Sequence, residues 1–353
     1  MLIGYGESAP WFTAPTASNP EFVFDTAAGR YVLMAFLPAD DGKAVGEALT
    51  LLSKNMPLFD DHRLCAFVVV RNAATAATAR DMRGLRWILD LEGAVSRLYG
   101  ALAEDGSEAP GWLLLDPTLR AIRVAPLDQG PEIFADLPNL PDPADHAGVK
   151  LHAPVLIAPR VFDADLCGRL IDLYEADGGA FTGVMRDQGD RTNLVMDPLK
   201  KRRDIAVRDP ALVAELGERL ERLLFPMIQR AMMFRATRIE RYIVSCYDAD
   251  DQAVFNPHRD STTFATAHRK FACSINLNDG FEGGDLRFPE FGPATYRPPV
   301  GGAVVFSCAL LHEVIPVKSG RRYAFLPFLH DEAGADVLSA YQARIALPSE
   351  TAE

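Results

Sequence analysis

Three side chains, distant in the chain, are of the types that hold a divalent metal. His258 and Asp260 stand two residues apart in FNPHRDSTTF, and His312 follows in ALLHEVIPV. On an extended strand, residues i and i+2 point to one face, so an imidazole and a carboxylate reach one ion from one strand end. Two imidazoles and a carboxylate on one face of an octahedron leave the opposite positions open, the donor set of a non-haem Fe(II) site. Taken singly, either histidine is more often a hydrogen-bonded structural residue. The residues around them change that balance.

HEVIPVKSGRRYAFLPF puts a cation ten residues after His312, and YIVSCYDADDQAVFNPHRD puts Tyr247 eleven residues before His258. LNDGFEGGDLRF reads as a tight glycine hairpin between the two ligand strands. Two arginines compete for the cationic role. Arg322, Ala324 and Leu326 share one strand face, and Arg321, Tyr323 and Phe325 the other. A small neighbour leaves room for a bound dicarboxylate, which favours Arg322, with Arg321 as the fallback. A guanidinium grips a carboxylate through two parallel hydrogen bonds. Either arginine also fits a solvated charge at a strand start.

With these motifs, residues from roughly 150 to 332 resemble the prolyl-4-hydroxylase-like branch of the 2-oxoglutarate/Fe(II) oxygenases. The resemblance implies a double-stranded β-helix (jelly-roll) core with flanking helices. It implies His258, Asp260 and His312 as iron ligands, and Arg322 and Tyr247 at the distal carboxylate of 2-oxoglutarate. It further implies O2 as co-reactant, succinate and CO2 as co-products, and ascorbate as reductant. Related halogenases replace the carboxylate ligand with a small residue, so Asp260 favours hydroxylation. The substrate class stays open between a peptidyl residue such as proline and a small molecule. A non-catalytic metal- and 2-oxoglutarate-binding sensor is the alternative.

Two further features of this half have two readings each. Asn276 either points into the pocket or braces the turn at Asp279-Gly280. The run Lys200-Lys201-Arg202-Arg203-Asp204 is either part of a lid over an acidic substrate or, with the greater weight, a solvated face.

The elements that must position these groups are short strands broken by Gly, Pro, Asn and Asp: RIERYIVSCY, FACSINL, DLRFPEF, GGAVVFSC and RRYAFLPFL. That texture suggests a sandwich or jelly roll. A strand at Pro154 to Ala158 and helices from Asp163 to about Tyr174 and from Pro210 to about Ala231 precede them. The tail after Ser339 reads as fraying.

The first half alternates strands (Tyr31 to Phe36, Leu64 to Arg71, Trp87 to Leu89, Gly111 to Leu115, Ala121 to Val124) with helical patterns (Lys43 to Leu58, Glu92 to Tyr99), a layered α/β unit. LPNLPDPADH, about Leu137 to His146, is the expected linker. The expected domains are therefore 1–140 and 150–340. GESAPWFTAP with AAGRYVLMAFLPAD resembles the opening of peroxiredoxins, which implies a thioredoxin-like fold. In that family the peroxide-reducing cysteine follows Pro-x-x-x-Thr-x-x. Here Pro38 matches, but Gly42 and Val45 occupy the Thr and Cys positions, and valine supplies no thiolate. Ala109-Pro110 resembles the cis-proline that precedes a strand in thioredoxin folds. Cys65, inside an apolar strand, reads as a small buried hydrophobe. The unit is expected to be non-catalytic, a module for docking or homodimerisation.

At 353 residues with 48% hydrophobic and 24% charged content, the chain is long enough for two globular domains. A net charge of −12 makes nucleic acid a poor partner. Five widely spaced cysteines without a CxxC argue against disulfides or structural zinc and for a reducing compartment. With neither a signal peptide nor a roughly 20-residue apolar run, the expectation is a cytoplasmic protein without membrane partners.

Overall fold

The computed structural model describes residues 2–40, 42–198 and 200–346. It divides into two units. One comprises Met1–Ala153 with Pro289–Pro293, the other Pro154–Phe288 with Ala294–Glu353.

In the first unit, β1 (Thr13–Ala14) and β2 (Phe22–Val23) form a short ladder. Five strands build the main sheet: β3 (Tyr31–Phe36), β4 (Leu64–Val70), β5 (Leu85–Leu89), β6 (Gly111–Leu115) and β7 (Ala121–Pro126). Their order is β5-β4-β3-β6-β7, with β3 to β5 parallel and β6 and β7 antiparallel. β3 and β4 are buried along their whole length, so they read as continuous apolar runs rather than alternations. Helix α1 (Lys43–Lys54) stops short of the expected Leu58, because Pro57 cannot continue it and a 3-10 turn takes over at Met56–Leu58. Helices α2 (Ala73–Thr78), α3 (Ala94–Leu98) and α4 (Gly130–Asp136) follow. The sequence reading missed α2 and α4, which are too short for a periodic pattern to register.

Two expectations for this unit need correction. No peptide bond among the described residues is cis, so the likeness at Ala109-Pro110 ends with the sequence. The expected linker begins as part of the unit: Leu137 is buried, and Arg63 donates to the carbonyl of Leu140 at 2.6 Å. Val45, at the missing-cysteine position, is a buried residue of α1.

The second unit is antiparallel. Its elements are β8 (Leu156–Ala158), α5 (Ala164–Asp177), β9 (Ala180–Phe181), β10 (Val184–Gln188), β11 (Arg191–Val195), β12 (Lys200–Lys201), β13 (Arg203–Ala206), α6 (Pro210–Arg219) and α7 (Phe225–Met232). Then come β14 (Arg238–Glu240), β15 (Ile243–Asp248), β16 (Val254–His258), β17 (Phe271–Asn276), β18 (Phe281–Gly283), β19 (Leu286–Arg287) and β20 (Thr295–Tyr296). The chain continues through β21 (Ala303–Ser307), β22 (His312–Val314), β23 (Val317–Phe325), β24 (Phe328–His330) and α8 (Glu332–Ala346). The larger sheet runs β14-β24-β17-β23-β15-β13-β9, with β21, β8 and β18 attached. The smaller runs β12-β16-β22-β19-β20.

One face of the larger sheet is apolar. Val244, Cys246, Ile275, Phe325 and Leu329 pack there with Leu166 and Leu170 of α5 and Leu216 of α6. Asp163 caps α5 by accepting from the Leu166 amide at 2.9 Å. The expected helix from Pro210 to Ala231 is interrupted by a π turn at Leu220–Leu224, just ahead of Pro226, where a backbone donor is missing.

RIERYIVSCY is two strands, divided where Arg241 takes a left-handed φ of 51°. The glycine stretch is not a hairpin. β18 pairs with β23 and β19 with β22, so Gly283-Gly284, at φ 74° and 68°, carries the chain from one sheet to the other. Residues 339–346 are helical rather than frayed, and 347–353 lie outside the described residues. Among the described residues no helix is long and apolar enough to cross a membrane.

Candidate metal centre

His258 ends β16 and His312 opens β22, and the two are direct register partners across that ladder. The register shifts between Phe255 and His258, which turns the strand end inward. Asp260 follows in the loop, where its amide donates to the Cys308 carbonyl at 3.0 Å. Strand alternation alone did not reveal this cross-link, because it depends on the Ser307–Leu311 turn.

The ligating atoms of His258, Asp260 and His312 lie within 4.8 Å of one another. His312 Nε2 is 3.2 Å from Asp260 Oδ2, and His258 Nε2 is 3.7 Å from Oδ1. Neighbouring vertices of an octahedron with bonds of about 2.1 Å lie ~3 Å apart, so small side-chain rotations suffice to bring all three onto one ion. His258 Nδ1 meets the Asn256 carbonyl at 2.7 Å, and His312 Nδ1 meets the Leu310 carbonyl at 3.0 Å. A carbonyl only accepts, so each Nδ1 carries the proton and each Nε2 keeps a free lone pair, as a metal ligand must. Burial pushes His258 down to about 3, which keeps its ring neutral. Burial raises the Asp260 carboxyl, but the pull of its neighbours, the Arg269 guanidinium among them, holds it below the usual carboxylate range. Side-chain exposures of 20% for His258, 14% for Asp260 and 5% for His312 leave the cluster largely buried but still reachable by solvent. This donor set fits a ferrous ion with positions left for exchangeable ligands.

Phe255 stacks on the His258 ring at 3.5 Å between centroids, and Phe306 lies edge-on to His312 at 4.6 Å. These rings exclude water from the protein side of the cluster.

Arg322 and Tyr247 are register partners on β23 and β15, both buried, with the guanidinium 5.3 Å from the phenol ring centroid. Arg322 Nε donates to Asn276 Oδ1 at 3.1 Å and Nη2 to Ser274 Oγ at 2.7 Å. Asn276 therefore reaches the interior and braces Arg322 rather than the Asp279-Gly280 turn, while its own amide donates to the Pro298 carbonyl at 3.1 Å. Arg321 lies on the opposite face, ion-paired with Asp248 at 2.7 Å and Glu175 at 3.5 Å.

The basic run is not a solvated face throughout. Lys200 and Arg202 are buried, 8% and 4% exposed, while Lys201 and Arg203 are less covered. Arg202 Nη1 donates to the Tyr247 hydroxyl at 3.2 Å, and its Nη2 donates to Asp204 at 2.8 Å. The sequence reading missed Arg202, Asp204 and Arg241 as interior groups. No strand pattern marks Arg202, because it sits in the turn between β12 and β13, which belong to different sheets.

All five cysteines are buried and free. Burial pushes the Cys65 thiol up to about 11, so it is not a nucleophile near neutral pH.

No family model matches the chain. It is similar to a PKHD-type hydroxylase of Synechococcus sp. (strain JA-2-3B'a(2-13)), 25% identical over 117 residues that make up 30% of this chain and 51% of that protein. The chain thus spans about half the length of the curated relatives it matches. Among solved structures it is similar to a prolyl hydroxylase from Trichoplax adhaerens in complex with a hypoxia inducible factor oxygen degradation domain peptide. That match has a TM-score of 0.39 and 16% identity, over 52% of this chain and 86% of the other. A reduced 2-Cys peroxiredoxin of Plasmodium vivax matches with a TM-score of 0.33 and 17% identity, over 38% of this chain and 94% of the other.

Proposed function

We propose that the chain is an Fe(II)- and 2-oxoglutarate-dependent dioxygenase that hydroxylates its substrate and releases succinate and CO2. The observation that carries this is the convergence of two Nε2 atoms with free lone pairs and one carboxylate within 4.8 Å of one another. Similarity to a PKHD-type hydroxylase supports it.

Iron with bound 2-oxoglutarate would supply the dioxygen chemistry that side chains lack. His258, Asp260 and His312 hold the metal. Their Nδ1 hydrogen bonds fix ring orientation and tautomer, so no reorganisation is needed at binding. Arg322 is the anchor for the distal carboxylate of 2-oxoglutarate, aimed by Ser274 and Asn276. Tyr247 lines the same anchor, its hydroxyl already engaged by Arg202. Phe255, Phe306 and their neighbours keep water from the metal's inner side.

We read the second unit as a jelly roll and the first as a thioredoxin-like unit without a peroxidatic thiol, serving docking or homodimerisation. Buried, unpaired cysteines support a cytoplasmic setting.

The test is 2-oxoglutarate-dependent succinate release by protein reconstituted with Fe(II) and ascorbate. Release that requires both iron and 2-oxoglutarate is expected. Fully metallated protein that releases none, with or without candidate substrates, refutes the enzyme and leaves a binding protein.

A further inference from the structure

The interior around the metal centre contains three cations that the roles above leave unused. Lys200 and Arg202 flank the Phe255 ring, at 5.5 and 5.9 Å from its centroid, and that ring in turn covers His258. Arg241 enters at the break between β14 and β15. Its guanidinium rests on the Phe328 ring at 4.3 Å, and its Nε is buried without a hydrogen-bond partner. Arg269 lies on the same Phe328 ring at 4.0 Å and donates through Nη1 to the Asp260 carbonyl at 3.4 Å, so Arg241 stands one ring away from a neighbour of the metal cluster.

The anions present do not balance these cations. Asp204 is 2.7 Å from Arg202 and 4.0 Å from Lys200, so it serves two of them. Asp260 is committed to the metal. Glu240 is taken by Arg269 at 2.6 Å and His268 at 2.8 Å. Arg322 is balanced by the 2-oxoglutarate it would hold. Lys200 is stitched to Thr182 Oγ1 and the Gly183 carbonyl, both at 2.8 Å, and Arg202 to Tyr247. Only Arg241 has no such partner among the described residues, and it is half-buried rather than sealed. A desolvated charge is costly unless something pairs with it. The strain shows at Lys200, which burial and then the Arg202 charge push down to about 7.

We infer that the substrate of this site is an anion whose carboxylate docks on Arg241. The inference rests on the oxygenase reading and names its substrate class. A planar guanidinium offers paired N–H groups to both carboxylate oxygens, so a carboxylate fits better than a neutral amide. That carboxylate is either the acid group of a small molecule or an acidic side chain of a peptide.

The experiment uses the full chain loaded with Zn(II), which has no redox chemistry, and saturated with 2-oxoglutarate so that Arg322 is occupied. Calorimetric titration compares N-acetylglycine with N-acetylglycinamide, and acetyl-Ala-Glu-Ala-amide with acetyl-Ala-Gln-Ala-amide. In at least one pair the acid is expected to bind about tenfold or more tighter than its neutral partner. Which pair responds tells a small acid from an acidic side chain. In Arg241→Gln that preference should vanish while the melting temperature holds or rises, because an uncompensated charge has been removed. No preference in either pair overturns the inference, as does a lowered melting temperature in Arg241→Gln, which marks a structural cation. Failure of 2-oxoglutarate to bind the Zn(II)-loaded protein would instead overturn the oxygenase reading.

Discussion

The two sheets at the heart of the two units use their interiors in opposite ways. In the first unit, β3 and β4 are apolar throughout and buried, and the Cys65 thiol donates to the Tyr31 carbonyl at 3.8 Å. In the second unit, the larger sheet turns an apolar face to the helices. Its other face buries Ser245, Tyr247, Ser274, Asn276 and Arg322. Burying polar groups costs free energy unless each finds a hydrogen-bond partner, whereas an apolar interior stabilises directly. On the oxygenase reading proposed above, the first sheet is a scaffold and the second carries the site.

That contrast breaks most visibly at the metal cluster. His312→Ala should abolish stoichiometric Fe(II) binding and lower succinate release by roughly a thousandfold or more, by analogy with loss of a residue acting as part of a catalytic unit. Circular dichroism should show the fold retained.

Asp204 sharpens the contrast from the stability side. Burial alone would raise its carboxyl, but Arg202 and Lys200 hold it down at about 2. The folded state therefore binds its proton less readily than the unfolded chain does. Its contribution is complete above the ordinary carboxylate range and is lost as pH falls toward 2. Asp204→Asn should cost about 3 kcal/mol near neutral pH by leaving buried cations unpaired. It should also flatten the acid limb of the stability curve between about pH 4 and 2, as read by urea unfolding at stepped pH.

Arg322→Gln should raise the KM for 2-oxoglutarate by ~10- to 100-fold, the worth of one or two charge-assisted hydrogen bonds. Arg321→Gln, on the opposite face, should barely move it. Smallest of all, Cys65→Ala should cost only about 1 kcal/mol of stability, as a small cavity does. Its succinate release should match wild type. A large loss of activity there would erase the distinction between scaffold and site.

Much of this was legible in the residues. Residue type, the motifs around them and the family resemblance nominated His258, Asp260 and His312, and strand parity separated Arg322 from Arg321. The apolar strands Tyr31–Phe36 and Gly111–Leu115 match the expected spans residue for residue. The rest depended on facts a pattern does not encode. The β10–β11 hairpin lacks an apolar alternation. The crossing at Gly283-Gly284 depends on which partner each flank finds. The basic run looked solvated because charge usually is, yet β12 and β13 belong to different sheets, and the turn between them carries Arg202 inward.

Anaerobic equilibrium dialysis of Fe(II) tests the central claim most directly. Wild-type protein should retain one ferrous ion per chain, and His258→Ala, Asp260→Ala and His312→Ala should each lose it. Retention of the ion at full stoichiometry by any of the three would contradict the account.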